Sequence, residues 1–316
     1  MAGERYPEGL LAEVAPVLRA ADVAFGNLEG PLYDGAGAPH CTPGGIAERN
    51  RGRPGATTCW SFRMPVRFGA QLHDAGFDVV SIANNHIDDF GAAGRASTLA
   101  ELDRLGIAYS GPPGSIAHLR AHDRAVDVIA FATYPELNNL LDLDAARALV
   151  AASAASGAIT IVSFHGGREG PDAVHLERSP ERHETFWTED RGAPPVFAHA
   201  VIDAGADLVV GHGPHVARAL ELYRGRLIAY SLGTFASYRG INVADVLGVT
   251  LILEVTLAGA DGAFRGGRIR ALRQRPPGGP HLDGDGAAIR AVRALSADDV
   301  GVAAPRIADD GALTTE

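Results

Sequence analysis

Six apolar runs of seven to nine residues, each stopped by a polar or glycine-rich turn, recur along this chain: ADVAFGN, FDVVSIA, AVDVIAFAT, AITIVSFHG, ADLVVGHG and RLIAYSLG. Runs of that length, rich in Val, Ile and Ala, fit strands buried on both faces. Between them stand stretches of helical periodicity at 7–21, 65–76, 95–106, 144–157 and 194–205, several closed by the Gly of a helix C-terminal cap. Strand and helix in alternation predict an α/β domain with parallel strands. After Gly248 the runs VTLILEVTLAG and FRGGRIRALRQ flank the turn-forming ADGA, which predicts an added antiparallel pair. We expect one domain over 1–275, followed by a C-terminal helix and tail over 276–316.

Charge and composition remove several classes of function. The chain has 316 residues, a formal net charge of -10 and 46% hydrophobic content. Nucleic-acid binding rests on clustered cations, and none cluster here. All 28 basic side chains are Arg; without a Lys there is neither Schiff-base chemistry nor a Walker-type phosphate loop. No apolar run reaches the roughly 18 residues that cross a bilayer, so no transmembrane segment is expected. Cys41 and Cys59 are the only cysteines; they form one disulfide in an oxidising compartment or stand as two thiols in a reducing one.

The strand ends carry the chemistry. SIANNHIDDFG runs a predicted strand straight into Asn84, Asn85 and His86, a turn on the plainest reading. Asn27 and Glu29 follow another run, His165 a third, and His212 and His215 a fourth. A lone His at such a place is most simply a satisfied structural residue, but repetition at successive strand ends is not explained that way. In open α/β sheets the carboxyl ends of strands are where ligands bind, so residues distant in sequence converge there. Imidazole with carboxylate and amide oxygen, without thiolate, suits a divalent ion such as Mn, Fe or Zn. Two such ions would bind a phosphate and ionise a water.

Five ordered segments, NLEGPL, FDVVSIANNHIDDFG, SFHGG, GADLVVGHGPHV and GRLIAYSLGTF, resemble the capsule-synthesis CapA family. These are poly-γ-glutamate synthesis proteins related to calcineurin-like metallophosphoesterases. The resemblance implies a four-layer αββα sandwich with one or two divalent metal ions at the sheet ends. It places Glu29, Asn85, His165, His212 and His215 as metal ligands, His86 as the residue that contacts substrate or protonates a leaving group, and Asn27 and Asn84 as supports. It implies a metal-dependent hydrolase or transferase acting on a small molecule or an anionic polymer in capsule or poly-γ-glutamate metabolism. The alternative is a non-catalytic polymer-binding or export component. From that family's envelope role we expect Cys41 to pair with Cys59 and the mature protein to work in the cell envelope or periplasm given an upstream secretory signal, otherwise in the cytoplasm.

The segments depart from the family in three places. Thr234 stands where its members usually carry Asn, and Gly166 where they often carry Trp. Before Glu29 nothing supplies the metal-ligating Asp that ends the family's first strand, and Asp22 begins a predicted strand instead of ending one. The expectation is a chain lacking that strand and that ligand. The segment 168–191 is the expected lid over the site, packed down by Phe186 and Trp187. His175 and His183 within it either reach in toward substrate or, on the plainer reading, stand solvated.

Overall fold

In the computed structural model the apolar runs form strands as expected, and their period-two alternation sorts side chains onto two faces. Residues 8–37, 39, 61–179, 181–238 and 241–315 are described; Cys41 and Cys59, with the pairing expected of them, lie outside these. A three-stranded parallel sheet joins β1 (Phe25–Asn27), β2 (Val79–Ser81) and β3 (Ala108–Ser110). Helices α1 (Ala15–Leu18), α2 (Gly69–Ala75) and α3 (Gly91–Leu105) lie with it. A six-stranded sheet follows, built from β4 (Ala117–Ala121), β5 (Arg124–Ala132), β6 (Ile159–His165), β9 (Leu208–His212), β10 (Leu220–Tyr223) and β11 (Arg226–Ala229). Its order is β10-β11-β9-β6-β5-β4, with β5, β6, β9 and β11 parallel.

The faces show how the layers meet. In β5, Val128 packs with Val79 of β2 and Ala117 of β4, between the two sheets. Its neighbours Ile129 and Phe131 point the other way, onto α4 (Leu143–Ala155) and α5 (Pro194–Asp203) through Val150, Phe197 and Val201. In β2, Val80 turns from the sheet interface toward Leu18, Leu72 and Leu102 of the first three helices. Successive strand residues point to opposite faces, so each buried strand serves two cores.

The C-terminal third forms the expected antiparallel pair, β12 (Val249–Leu257) and β13 (Phe264–Gln274). β14 (Pro280–Leu282) pairs with β13, α6 (Ala287–Asp299) packs Ala288, Ile289 and Val292 against the pair, and β15 (Arg306–Ile307) and β16 (Ala312–Thr314) return to the same sheet. Among the described residues β1 pairs only with β2, and β12 only with β13. The helix expected over 7–21 is shorter: three-residue turns precede it, with Gly9 at φ 78°, and only Ala15–Leu18 is α-helical. No helix of the described residues is long and apolar enough to cross a membrane.

Candidate functional site

The parallel registers bring the polar strand ends into line. Asn27 is level with Ser81, and His165 is level with His212. Just past those positions the chain turns, and the two sheets deliver their side chains to one place: His215 Nε2 stands 3.5 Å from Glu29 Oε1. The rings of Phe25 and His212 lie 5.7 Å apart across the same junction. Glu29 therefore arrives from the three-stranded sheet, and His165, His212 and His215 from the six-stranded one, where the three imidazoles act on one another.

The amides after β2 have separate tasks. Asn84 Nδ2 donates to the Leu28 carbonyl at 2.9 Å and to Asn27 Oδ1 at 3.2 Å, while its Oδ1 accepts from the His86 backbone N–H at 3.1 Å. Asn84 thus ties β1 to β2 and sets the turn that presents His86. Asn27 Nδ2 reaches Glu29 Oε2 at 3.4 Å. Asn85 Oδ1 is buried with no partner. Thr234 Oγ1 stands 3.2 Å from His215 Nδ1, a contact that orients the ring. His215 itself sits at φ 63°, a strained conformation for a side-chain-bearing residue and one that recurs at functional sites.

Burial sets the electrostatics. Burial, reinforced by the Arg191 charge and the neighbouring imidazoles, holds His165 well below the ordinary histidine range. Burial alone lowers His212 to about 4. Both rings are therefore neutral at physiological pH, the form in which imidazole ligates a metal. Glu169 is raised by burial, against the opposing pull of Arg191 and His215.

Several residues at the site escaped the sequence reading. Glu169 Oε2 lies 3.9 Å from His215 Nε2, facing the imidazole that Glu29 also faces. Arg191 is fully buried; its Nε donates to the Gly167 carbonyl at 3.1 Å, its Nη1 to Tyr134 Oη at 3.2 Å, and its Nη2 stands 2.9 Å from Glu169 Oε1. Asp89 holds His86 Nδ1 at 2.7 Å. A charged residue inside an otherwise loop-like segment was the only signal for Glu169 and Arg191, and it does not distinguish them from solvated neighbours.

The segment 168–191 is anchored by charge, not by its aromatics. Phe186 and Trp187 stack on each other with centroids 4.7 Å apart; Phe186 is half-buried, but Trp187 is 45% exposed and does not pack the loop down as expected. Instead Arg218, fully buried, grips Glu184 with two hydrogen bonds of 3.0 and 2.8 Å and donates to the Ala173 carbonyl. His175 pairs with Asp299 and His183 with Asp190, both histidines exposed, as the solvated reading holds. Asp22 is exposed and pairs with His122. Two surface clefts lie elsewhere, beside Asp142 and Arg147 and beside His118 and Ser153.

The donor atoms fit a divalent cation in kind. Glu29 Oε1, Asn85 Oδ1, both nitrogens of His165 and His212 Nε2 are buried without a hydrogen-bond partner, and buried polar groups are rarely left so unless something else binds them. In arrangement they stand open: among the described residues no three His, Cys, Asp or Glu side chains close on one point as a bound ion requires.

Residues 3–239 match the bacterial capsule synthesis protein PGA_cap family. The chain is 27% identical over 246 residues to the capsule biosynthesis protein CapA of Bacillus anthracis, covering 72% of this chain and 53% of that one. With the PGA biosynthesis protein CapA of Bacillus subtilis strain 168 it shares 26% over 249 residues, 75% of this chain and 59% of the relative. A probable polyglutamine synthesis accessory protein of Mycobacterium tuberculosis is 31% identical over 195 residues, 52% of this chain and 46% of the relative. The chain thus spans between 46% and 59% of these relatives. Among solved structures, TT1561 of Thermus thermophilus aligns over 60% of this chain and 72% of its own at 14% identity; its TM-score of 0.34 is too low to argue from.

Proposed function

The chain belongs to the bacterial capsule synthesis protein PGA_cap family, and from that premise we propose that it acts in capsule or poly-γ-glutamate metabolism as a metal-dependent hydrolase or transferase. The observation that supports this reading is the set of buried, unpartnered oxygen and nitrogen atoms on Glu29, Asn85, His165 and His212 at the ends of strands from two sheets. The finer fold that goes with it is a four-layer αββα sandwich.

In this reading Glu29, Asn85, His165, His212 and His215 hold one or two divalent cations. A cation so held supplies an ionised water and a positive charge against a phosphate or acyl oxygen of the substrate. His86, with Nδ1 fixed by Asp89, presents Nε2 to protonate the leaving group. Asn27 orients Glu29, and Asn84 fixes the turn carrying Asn85 and His86. The substrate class is a phosphoester or acyl-type bond in a small molecule or an anionic polymer.

Elemental analysis for Mn, Fe and Zn, with turnover of an aryl phosphate and of poly-γ-glutamate, tests the reading. Bound metal and turnover that both fall in His165→Ala support it. A folded protein that takes up none of the three metals and turns over neither compound sinks it. The second reading, a non-catalytic polymer-binding component, is favoured by the open arrangement of the donors and opposed by the net charge of -10, which repels an anionic chain. Cosedimentation with poly-γ-glutamate in the absence of metal would mark it.

A further inference from the structure

Two carboxylates, from loops distant in sequence, face one imidazole. Glu29 Oε1 is 3.5 Å and Glu169 Oε2 is 3.9 Å from His215 Nε2, and their side chains are only 19% and 13% exposed. Carboxylates this far from water need compensation, because an uncompensated buried charge is costly. Arg191 supplies one positive charge, through Nη2 to Glu169 Oε1 at 2.9 Å. Glu189 Oε2 lies 3.7 Å from Arg191 Nη1 as well, so three carboxylates, Glu29, Glu169 and Glu189, act on a single guanidinium. That excess points to a cationic ligand, and His165, a residue 1% exposed with both nitrogens unpartnered, has a ring nitrogen whose lone pair can be given to one.

We propose that Glu169 is the second carboxylate of the metal centre, with Arg191 the positioning residue that aims it. The inference rests on the metal-dependent reading above and extends its donor set to a residue on the loop after His165. A loop clamp is the competing account of the Glu169–Arg191 pair. The loop already has such a clamp in Arg218 and Glu184, which share two hydrogen bonds. Arg191 is likewise already anchored, by the Gly167 carbonyl and Tyr134 Oη, without any help from Glu169. The pair is therefore redundant for holding the loop. It places a carboxylate at a centre whose strand ends otherwise provide only Glu29.

Calorimetric titration of the chelator-treated full chain with Mn²⁺ tests this, with thermal unfolding of each metal-free variant as the control for folding. Glu29→Gln and Glu169→Gln should each weaken Mn²⁺ binding about tenfold or more, while metal-free Glu169→Gln still unfolds in a single cooperative transition, showing that it is folded. Should Glu169→Gln fold poorly, Glu169→Asp keeps the charge and withdraws it by one methylene, and the same loss of affinity is expected. Arg191→Met should weaken Mn²⁺ binding with Glu169 present and change nothing further once Glu169 is Gln. If wild type and Glu169→Gln bind Mn²⁺ alike while Glu29→Gln does not, the inference is overturned and the metal-dependent reading survives. Wild type that binds no Mn²⁺ overturns both.

Discussion

In the turn after β2, Nδ1 of His86 lies 2.7 Å from Oδ2 of Asp89, with the two residues 6% and 2% exposed. The same carboxylate oxygen accepts the Phe62 backbone N–H at 2.6 Å, and the Phe62 ring lies 4.1 Å from the imidazole. A carboxylate held this firmly fixes both the orientation of the ring and the nitrogen that carries its proton. Asp89→Asn keeps the shape and removes that control, because an amide can donate to Nδ1 and force the opposite tautomer. Turnover of an aryl phosphate should fall roughly 10²- to 10⁴-fold, with bound metal and circular dichroism unchanged. Unaltered turnover would remove His86 from the chemistry.

Gly166 answers a question that the family resemblance raised. A Cβ at this position would stand 2.9 Å from the Arg191 carbonyl oxygen and 3.1 Å from Leu140 Cδ2. The chain that returns from the loop to α5 occupies the space that a side chain at 166 would need. Gly166→Ala should therefore cost about 1 to 3 kcal/mol, read as a lower urea midpoint, and Gly166→Trp more. Wild-type stability in Gly166→Ala would show that the returning strand yields without strain.

The parallel strands were legible because both of their faces are covered, which makes each a continuous apolar run with a visible end. The strand-end donors were legible for the same reason: a polar residue that interrupts such a run stands out. Glu169 and Arg191 were not, since they lie among Arg168, Asp172, Glu177 and Arg178 in a segment whose charge is uniform in the sequence. Their burial is a tertiary fact, produced by strands β6 and β9 bringing Gly167 and Gly213 against the returning chain. Trp187 misled by the same route: it is apolar in sequence, yet it sits at the turn of a two-stranded hairpin, β7 (Thr185–Phe186) and β8 (Glu189–Asp190), where it is 45% exposed.

Arg218 and Glu184 make a separable prediction about the loop. Both are buried and joined by two hydrogen bonds, so removing either partner leaves the other charge stranded away from water. Glu184→Leu and Arg218→Met should each cost about 3 to 5 kcal/mol, whereas the double variant should recover much of that loss. Urea unfolding of the four proteins measures the coupling. Additive losses would mean that the two side chains act independently and that the loop is held by something else.

Glu221, on β10 and remote from the strand ends, makes stability depend on acidity in a predictable direction. Burial by itself raises its carboxyl, but hydrogen bonds from His199 at 2.9 Å and from Tyr230 at 2.5 Å, with the His199 charge, outweigh burial and leave the group below its ordinary 4.5. His199 is held in place by stacking on Tyr223, ring centroids 3.9 Å apart. Over the interval between the lowered folded value and 4.5 the unfolded chain binds the proton more readily, so stability rises with pH there. The contribution is complete above 4.5 and is lost as the pH falls through the folded value. Urea midpoints measured from about pH 6 downward should therefore decline more steeply below 4.5 in wild type than in Glu221→Gln, which has no proton to gain. Glu221→Gln should also be less stable than wild type at about pH 6, because its neutral amide makes weaker bonds to His199 and Tyr230 than the carboxylate does. Parallel acid profiles for the two proteins would mean that Glu221 titrates alike in the folded and unfolded chain, and that its hydrogen bonds do no more than offset its burial.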